Sequence, residues 1–196
     1  MRIAGCILAG GRSLRMGSDK ATVMLAGRSL LSHAAQRLRP QVQALIVNAN
    51  SDFGALSDPV VADEMSNVAG PLAGVLAALD WAAADHQKYD ALVTVPVDAP
   101  FFPLDLVLQL SSLGGTTITV ASSANQLHPV FALWPIGTAE TLRNWLRGEN
   151  NRSAKRFIAS VPHKIIDFPS VDGVDPFMNI NTREDLAAAE IHMQKS

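Results

Sequence analysis

Several large functional classes are excluded by what the sequence lacks. It has a single cysteine, Cys6, which can form no disulfide within the chain and points to a reducing, cytoplasmic compartment. It has no basic excess. Sixteen Lys and Arg stand against 18 Asp and Glu, a formal net charge of -2, and so give no electrostatic case for a nucleic-acid partner. It has no apolar stretch approaching the roughly 18 residues of a membrane span. The opening MRIAGCILAGG runs into a glycine pair where a signal peptide would continue. The histidines show no metal-ligand spacing, and Ser13 has no G-x-S-x-G context for a serine hydrolase. There are no repeats, low-complexity tracts or linkers.

What remains is a chain of 196 residues, 48% hydrophobic and 17% charged, expected to fold as one domain spanning 1–196. Its apolar segments alternate in character. IAGCILA, ALIVNAN (44–50), DPVVAD (58–63) and ALVTVPVD (91–98) read as strands. Between them, RSLLSHAAQRL puts Leu30, Leu31, Ala34, Ala35 and Leu38 on one helical face before Pro40, and GPLAGVLAALDWAAA does the same with Leu72, Val75, Leu76 and Leu79. Pro103 suits the first turn of a helix containing Leu104, Val107, Leu108 and Leu110. Further on, TTITVA, HPVFALW and HKIIDF read as strands and TAETLRNWLR and SAKRFIAS as helices. Thr182 caps a last helix, with Asp185 three residues on. Repeated strand–helix–strand units predict a three-layer α/β/α, Rossmann-like fold with a mostly parallel sheet. In such folds ligands sit beyond the carboxyl ends of the strands, where AGG, NAN, Asp63 and VDAP all fall.

The loop ILAGGRSLRMGSDK fits neither the dinucleotide fingerprint nor the P-loop. Gly10 and Gly11 let backbone approach a ligand, while Arg12, Arg15 and Lys20 put three cations in one short stretch, which suits a triphosphate. A plain strand-to-helix turn with solvated cations is the competing explanation. Asp98 leaves a hydrophobic strand between Pro96 and Pro100 and is placed to bind Mg²⁺ with substrate phosphates; the alternative is a helix cap near Pro103. Asp63 is open between base recognition, the metal's outer shell and an ordinary loop residue. Asn48 and Asn50 point to one side of their strand and could read a base edge or ribose, turn formation being the alternative, favoured for Asn50 alone. His128, before Pro129, could touch a substrate, although a lone histidine at a strand edge is more often structural; Trp81, Trp134 and Trp145 read as packing. Arg152, Lys155 and Arg156 form a solvated helix face or receive an anionic second substrate.

LAGGRSLRMGSDK resembles the signature of the molybdenum cofactor guanylyltransferases, L-A-G-G-x-S-x-R-M-G-x-D-K. VNAN (47–50), GPLAG (70–74), VDAP (97–100) and NINT (179–182) match further segments in order, so the resemblance spans nearly the whole chain. It implies transfer of GMP from GTP to the terminal phosphate of molybdopterin, with release of pyrophosphate. Carried over, Leu8, Ala9, Gly10 and Gly11 meet GTP through the backbone, and Lys20 its phosphates. Asn48 and Asp63 hold the nucleoside, Asp98 binds Mg²⁺, and Asn179 and Asn181 lie on the pterin side. Lys20, Arg15 and Asp98 are the catalytic residues on this basis. The acceptor phosphate is already an anionic nucleophile, so charge neutralisation suffices and no general base is needed. Arg183 replaces the proline of N-x-N-T-P-E-D, at a first helical position where proline is favoured but not required. Cofactor-assembly proteins or molybdoenzyme chaperones are the protein partners this family would offer. Two rivals stand. One is another nucleotidyltransferase of the same fold, acting on molybdopterin with CTP or on a sugar phosphate; the cytidylyl relatives tend to show LAAG in place of LAGG. The other is a non-catalytic nucleotide-binding assembly protein, for which a metal carboxylate would have no use.

Overall fold

The first apolar run becomes strand β1, Ile3–Leu8, buried at every position. It is followed by a two-stranded ribbon, β2 (Met24–Leu25) and β3 (Arg28–Ser29), helix α1 (Leu30–Leu38), and strands β4 (Ala44–Asn48) and β5 (Val60–Val61). Helix α2 (Pro71–Ala84), strand β6 (Ala91–Pro96) and helix α3 (Leu106–Ser111) come next. A hairpin of β7 (Ile118–Ser123) and β8 (Gln126–Pro135) leads to α4 (Thr138–Gly148), α5 (Ala154–Ser160), β9 (His163–Asp167) and α6 (Arg183–Lys195). These elements come from a computed structural model that describes residues 1–10, 19–50, 58–63, 70–84, 89–148, 153–171 and 173–195. Gly11, Arg12, Arg15 and Arg152 lie outside the described residues.

Seven strands form the main sheet in the order β5-β4-β1-β6-β8-β7-β9. β8 runs antiparallel to both neighbours, and the other pairings are parallel. One face is covered by α1, α3 and α6, whose Leu30, Leu31, Leu38, Leu106, Leu110 and Ala189 meet Ile7, Val93 and Val95. The other is covered by α2, α4 and α5, with Leu72, Leu76, Leu142 and Phe157 against Cys6, Leu92 and Trp134. The result is the expected three-layer, mostly parallel α/β architecture.

Local chemistry accounts for the boundaries. Ser29 caps α1, its hydroxyl accepting from the Ser32 N–H at 3.1 Å. Ala124 and Asn125 both take positive φ, 46° and 63°, the two-residue turn that suits the twist of a tight hairpin. Thr182 and Asp185 form a reciprocal cap. The Thr182 hydroxyl accepts from Asp185 N at 3.1 Å, and one Asp185 oxygen accepts from both Asn181 N and Thr182 N at 2.9 Å. Arg183 is the first residue of α6.

Some boundaries differ from expectation. The strands read over 44–50, 58–63 and 91–98 end earlier, at Asn48, Val61 and Pro96, so Asn50, Asp63 and Asp98 stand just past strand ends. The helix expected from Pro103 begins at Leu106 with Asp105 at its cap, which also removes the reading of Asp98 as that helix's cap. Leu106, Val107 and Leu110 of this helix are buried, while Leu108, and Leu104 before its start, are 72% and 68% exposed.

Candidate active site

The sheet divides at its carboxyl edge. β1 and β6 stay paired as far as Leu8 and Pro96, whereas the β6–β8 ladder stops at Thr94 and Ala132. Along the hairpin, Val120 pairs with Ala132 but the next residue, Ala121, pairs with His128, leaving Pro129, Val130 and Phe131 as a bulge. Pro129 has no N–H to give the ladder, and bulges of this kind bend a strand and re-aim its side chains. Thr94 fixes the parting: its hydroxyl donates to Val130 O at 2.7 Å and accepts from the Trp134 indole at 2.8 Å. Between the separated strands opens a cleft of about 350 Å³. Leu8, Ala9 and Gly10 form one wall, Val97 and Asp98 another, and Lys20, Val130 and Asn179 complete it.

Three segments far apart in sequence meet at its mouth. The Lys20 ammonium lies 2.5 Å from Asp98 Oδ2 and also donates to Asn181 Oδ1, both acid and base about one-fifth exposed (19% and 20%). Asp98 O accepts from Ile180 N at 2.7 Å, which ties VDAP to NINT through the backbone as well. Behind Asp98 the chain is anchored from α1 and the turn that follows it. Arg37 donates to the carbonyls of Phe102 (2.8 Å) and Phe101 (3.4 Å), and Gln41 bonds Pro103 O and Val107 N. Burial lowers the pKa of Arg37, and those carbonyls take the place of a counter-ion. Beneath Asn181, the Asp185 carboxyl is held below its ordinary range, chiefly by the Asn181 N–H, then by Thr182 and the Lys20 charge.

A second polar group stands beside Gly10. Asn48 Nδ2 donates to Asp63 Oδ1 (2.8 Å) and Val61 O (3.1 Å), while Asn50 exchanges bonds with Asp63 through Nδ2 (3.3 Å) and Oδ1 (3.0 Å). The expectation that the two asparagines point the same way therefore holds. Gly74, on the first turn of α2, gives Asn48 its room: a Cβ at Gly74 would come within 2.7 Å of Asn48 Cγ. Cys6 lies under this group, fully buried, and burial pushes its thiol pKa up, so it is no nucleophile.

The structure thus brings together Leu8, Ala9, Gly10, Lys20, Asp98, Asn179 and Asn181, with Asn48 and Asp63 adjoining. Lys155 and Arg156 are exposed on α5. Sequence reasoning missed Thr94, Arg37 and Gln41, which touch backbone across 36 to 66 residues and leave no local signal.

Residues 5–165 match the MobA-like NTP transferase domain. The molybdenum cofactor guanylyltransferase of Sinorhizobium fredii is 42% identical over 198 residues, covering 96% of this chain and 91% of that one. The chain belongs to the molybdenum cofactor guanylyltransferase family. Another relative of the same name, from Rhizobium johnstonii, is 45% identical over 194 residues, with 96% and 91% covered. Among solved structures, molybdopterin-guanine dinucleotide biosynthesis protein A from Archaeoglobus fulgidus superposes with a TM-score of 0.76 at 21% identity, both chains covered in full. That likeness speaks for the fold.

Proposed function

We infer that this protein, a single nucleotidyltransferase domain, transfers GMP from GTP to the terminal phosphate of molybdopterin and releases pyrophosphate. One observation carries the reading: the Lys20–Asp98–Asn181 cluster joins the LAGG…DK, VDAP and NINT segments at the mouth of one cleft. A family resemblance spread over the chain thereby becomes one site.

In this reading an oxygen of the acceptor phosphate forms a bond to the α-phosphorus of GTP, and the bond from that phosphorus to the bridging oxygen of pyrophosphate breaks. The nucleophile is already ionised, so no proton need be removed. The chain's task is to bring anions together and to neutralise charge as it moves to the leaving group. The backbone of Leu8, Ala9 and Gly10 would receive the nucleotide, with Asn48 and Asp63 offering donors and acceptors to the purine or ribose. Lys20 would pass from Asp98 to the phosphates when GTP arrives, and Arg15 would be the second cation. Asn179 and Asn181 would face the pterin.

The donor set suits a magnesium ion held largely by substrate. Among the described residues no cluster of three His, Cys, Asp or Glu could cage a metal, but Asp98 offers one partly exposed carboxylate at the cleft and already draws a cation to 2.5 Å. Mg²⁺ is commonly bound by one or two carboxylates together with phosphates. Asp98 would hold it, and when bound it would add positive charge beside the phosphates. A reducing, cytoplasmic setting fits the lone buried Cys6.

The test is nucleotide choice. With Mg²⁺ and molybdopterin, GTP should yield the guanine dinucleotide and pyrophosphate, while CTP and ATP bind far more weakly in calorimetry, because a hydrogen-bonding site is left with unpaired groups by the wrong base. Equal affinity for all three would mark a phosphate-only binder, and transfer of CMP in preference would make it a cytidylyltransferase.

A further inference from the structure

One polar group beside the cleft has no part in that mechanism. Ser123, fully buried at the carboxyl end of β7, donates its hydroxyl to Asp175 Oδ1 at 2.8 Å and lies 2.7 Å from His128 Nε2. The residue types are those of a hydrolase triad, but the order is wrong. A serine hydroxyl has one proton, here given to the carboxylate, so His128 must donate from Nε2 and cannot act as base toward Ser123. The group holds things in place. Asp175 Oδ1 also accepts from Phe177 N at 2.8 Å, and the Phe177 ring packs on His128 (4.7 Å), Phe131 (4.5 Å) and Phe168 (5.3 Å). Two residues further on comes Asn179, which lines the cleft, and then Ile180 and Asn181, bonded to Asp98 and Lys20.

The segment from Asp175 to Asn181 is therefore pinned at both ends, to the bulged hairpin at one and to the Lys20–Asp98 pair at the other. We propose that Ser123, His128 and Asp175 are positioning residues for the acceptor: they set where Asn179 and Asn181 stand, and so govern how molybdopterin binds, while leaving GTP binding untouched. His128 owes its place to the bulge at Pro129, which pairs it with Ala121 and turns it toward the Phe131 and Phe177 rings. The same bulge that opens the cleft thus supplies the anchor for its far wall.

The inference rests on the GMP-transfer reading, and the experiment separates the two. In the full-length protein, His128→Leu and Ser123→Ala should raise the KM for molybdopterin about three- to tenfold, the range that one lost buried hydrogen bond gives. The GTP dissociation constant should stay within about twofold of wild type. His128→Gln keeps an N–H donor near the Nε2 position and should restore the acceptor KM to within about threefold of wild type. Three results overturn the proposal: unchanged acceptor KM in His128→Leu and Ser123→Ala, an equal loss of GTP and acceptor affinity, or no rescue by Gln. Should His128→Leu fail to fold, Ser123→Ala and Asp175→Asn carry the same comparison, with GTP binding as the control for a native donor side. If wild type itself transfers no GMP to molybdopterin, the functional reading fails instead, whatever the variants do.

Discussion

The two sides of the cleft are built differently. On the side assigned to the nucleotide, backbone and short side chains are delivered by neighbouring parallel strands: Leu8 at the end of β1 with Ala9 and Gly10 just after it, Asn48 at the end of β4 and Asp63 just after β5. Their positions follow from strand pairing. On the side assigned to the acceptor, Asn179 and Asn181 belong to no strand or helix. Their segment is held by polar contacts that span 52 to 161 residues of chain, Ser123–Asp175, Lys20–Asp98 and Lys20–Asn181. The first side is a property of the sheet and should tolerate changes elsewhere. The second is a property of a few hydrogen bonds, and single substitutions should disturb it selectively.

The substitution expected to matter most strikes where the sides join. Asp98→Asn keeps size but removes the charge that holds both Lys20 and the proposed metal; GMP transfer should fall by roughly 100-fold or more, with circular dichroism unchanged. Activity within a few-fold of wild type at saturating Mg²⁺ would remove Asp98 from the metal assignment.

Lys20→Ala sharpens the same junction. If Lys20 follows charge developing on the phosphates, single-turnover transfer at saturating GTP should slow by roughly 30- to 1000-fold, the equivalent of about 2–4 kcal/mol. A raised GTP dissociation constant with a wild-type rate would make it an anchor only. The same variant has a readout without turnover. Lys20 pairs with the Asp98 carboxylate, so its removal should tighten Mn²⁺ binding to the nucleotide-free protein, followed by electron paramagnetic resonance.

Gly74→Ala breaks the nucleotide side alone. The new Cβ would push Asn48 off Asp63, so GTP affinity should fall, with a stability loss of about 1–3 kcal/mol from overpacking. Adding Asn48→Ala should recover the stability and leave GTP affinity low. Recovery of both would show that Asn48 has no role toward GTP.

The smallest effect concerns the cap under Asn181. The folded Asp185 carboxyl binds its proton less tightly than in the unfolded chain, whose ordinary value is near 3.8. Its contribution to stability is therefore present above that value and is lost as pH falls through the lower folded value. In thermal melts the acid side of the stability profile should be shallower for Asp185→Asn than for wild type, and identical profiles would mean the cap contributes nothing.

The sequence was most legible on the nucleotide side. Leu8 to Gly10, NAN and VDAP stand at or just past strand ends, and Thr182 and Asp185 cap the last helix; these are local patterns whose spacing carries their geometry. Pairing direction is not encoded in periodicity. Nothing in HPVFALW told that β8 would run against β6, or that Pro129 would seed a bulge turning His128 and Val130 to new places. His128 read as structural from sequence, which was right in kind, but its partners Ser123 and Asp175 were invisible because the network closes only in three dimensions. The helix after Pro103 starts only at Leu106, so Leu104 precedes it, and within it Leu106, Val107 and Leu110 are buried while Leu108 is exposed.

The central claim is that a bond at the α-phosphorus of GTP is exchanged for one to the molybdopterin phosphate, and isotope placement tests it directly. GTP labelled at the α-phosphate, or separately at the γ-phosphate, is turned over once with molybdopterin, Mg²⁺ and excess protein. The α-label should appear in the pterin product and the γ-label in pyrophosphate, in equal amounts. Release of the γ-label as inorganic phosphate, or an α-label that never leaves guanosine phosphates, would contradict the account.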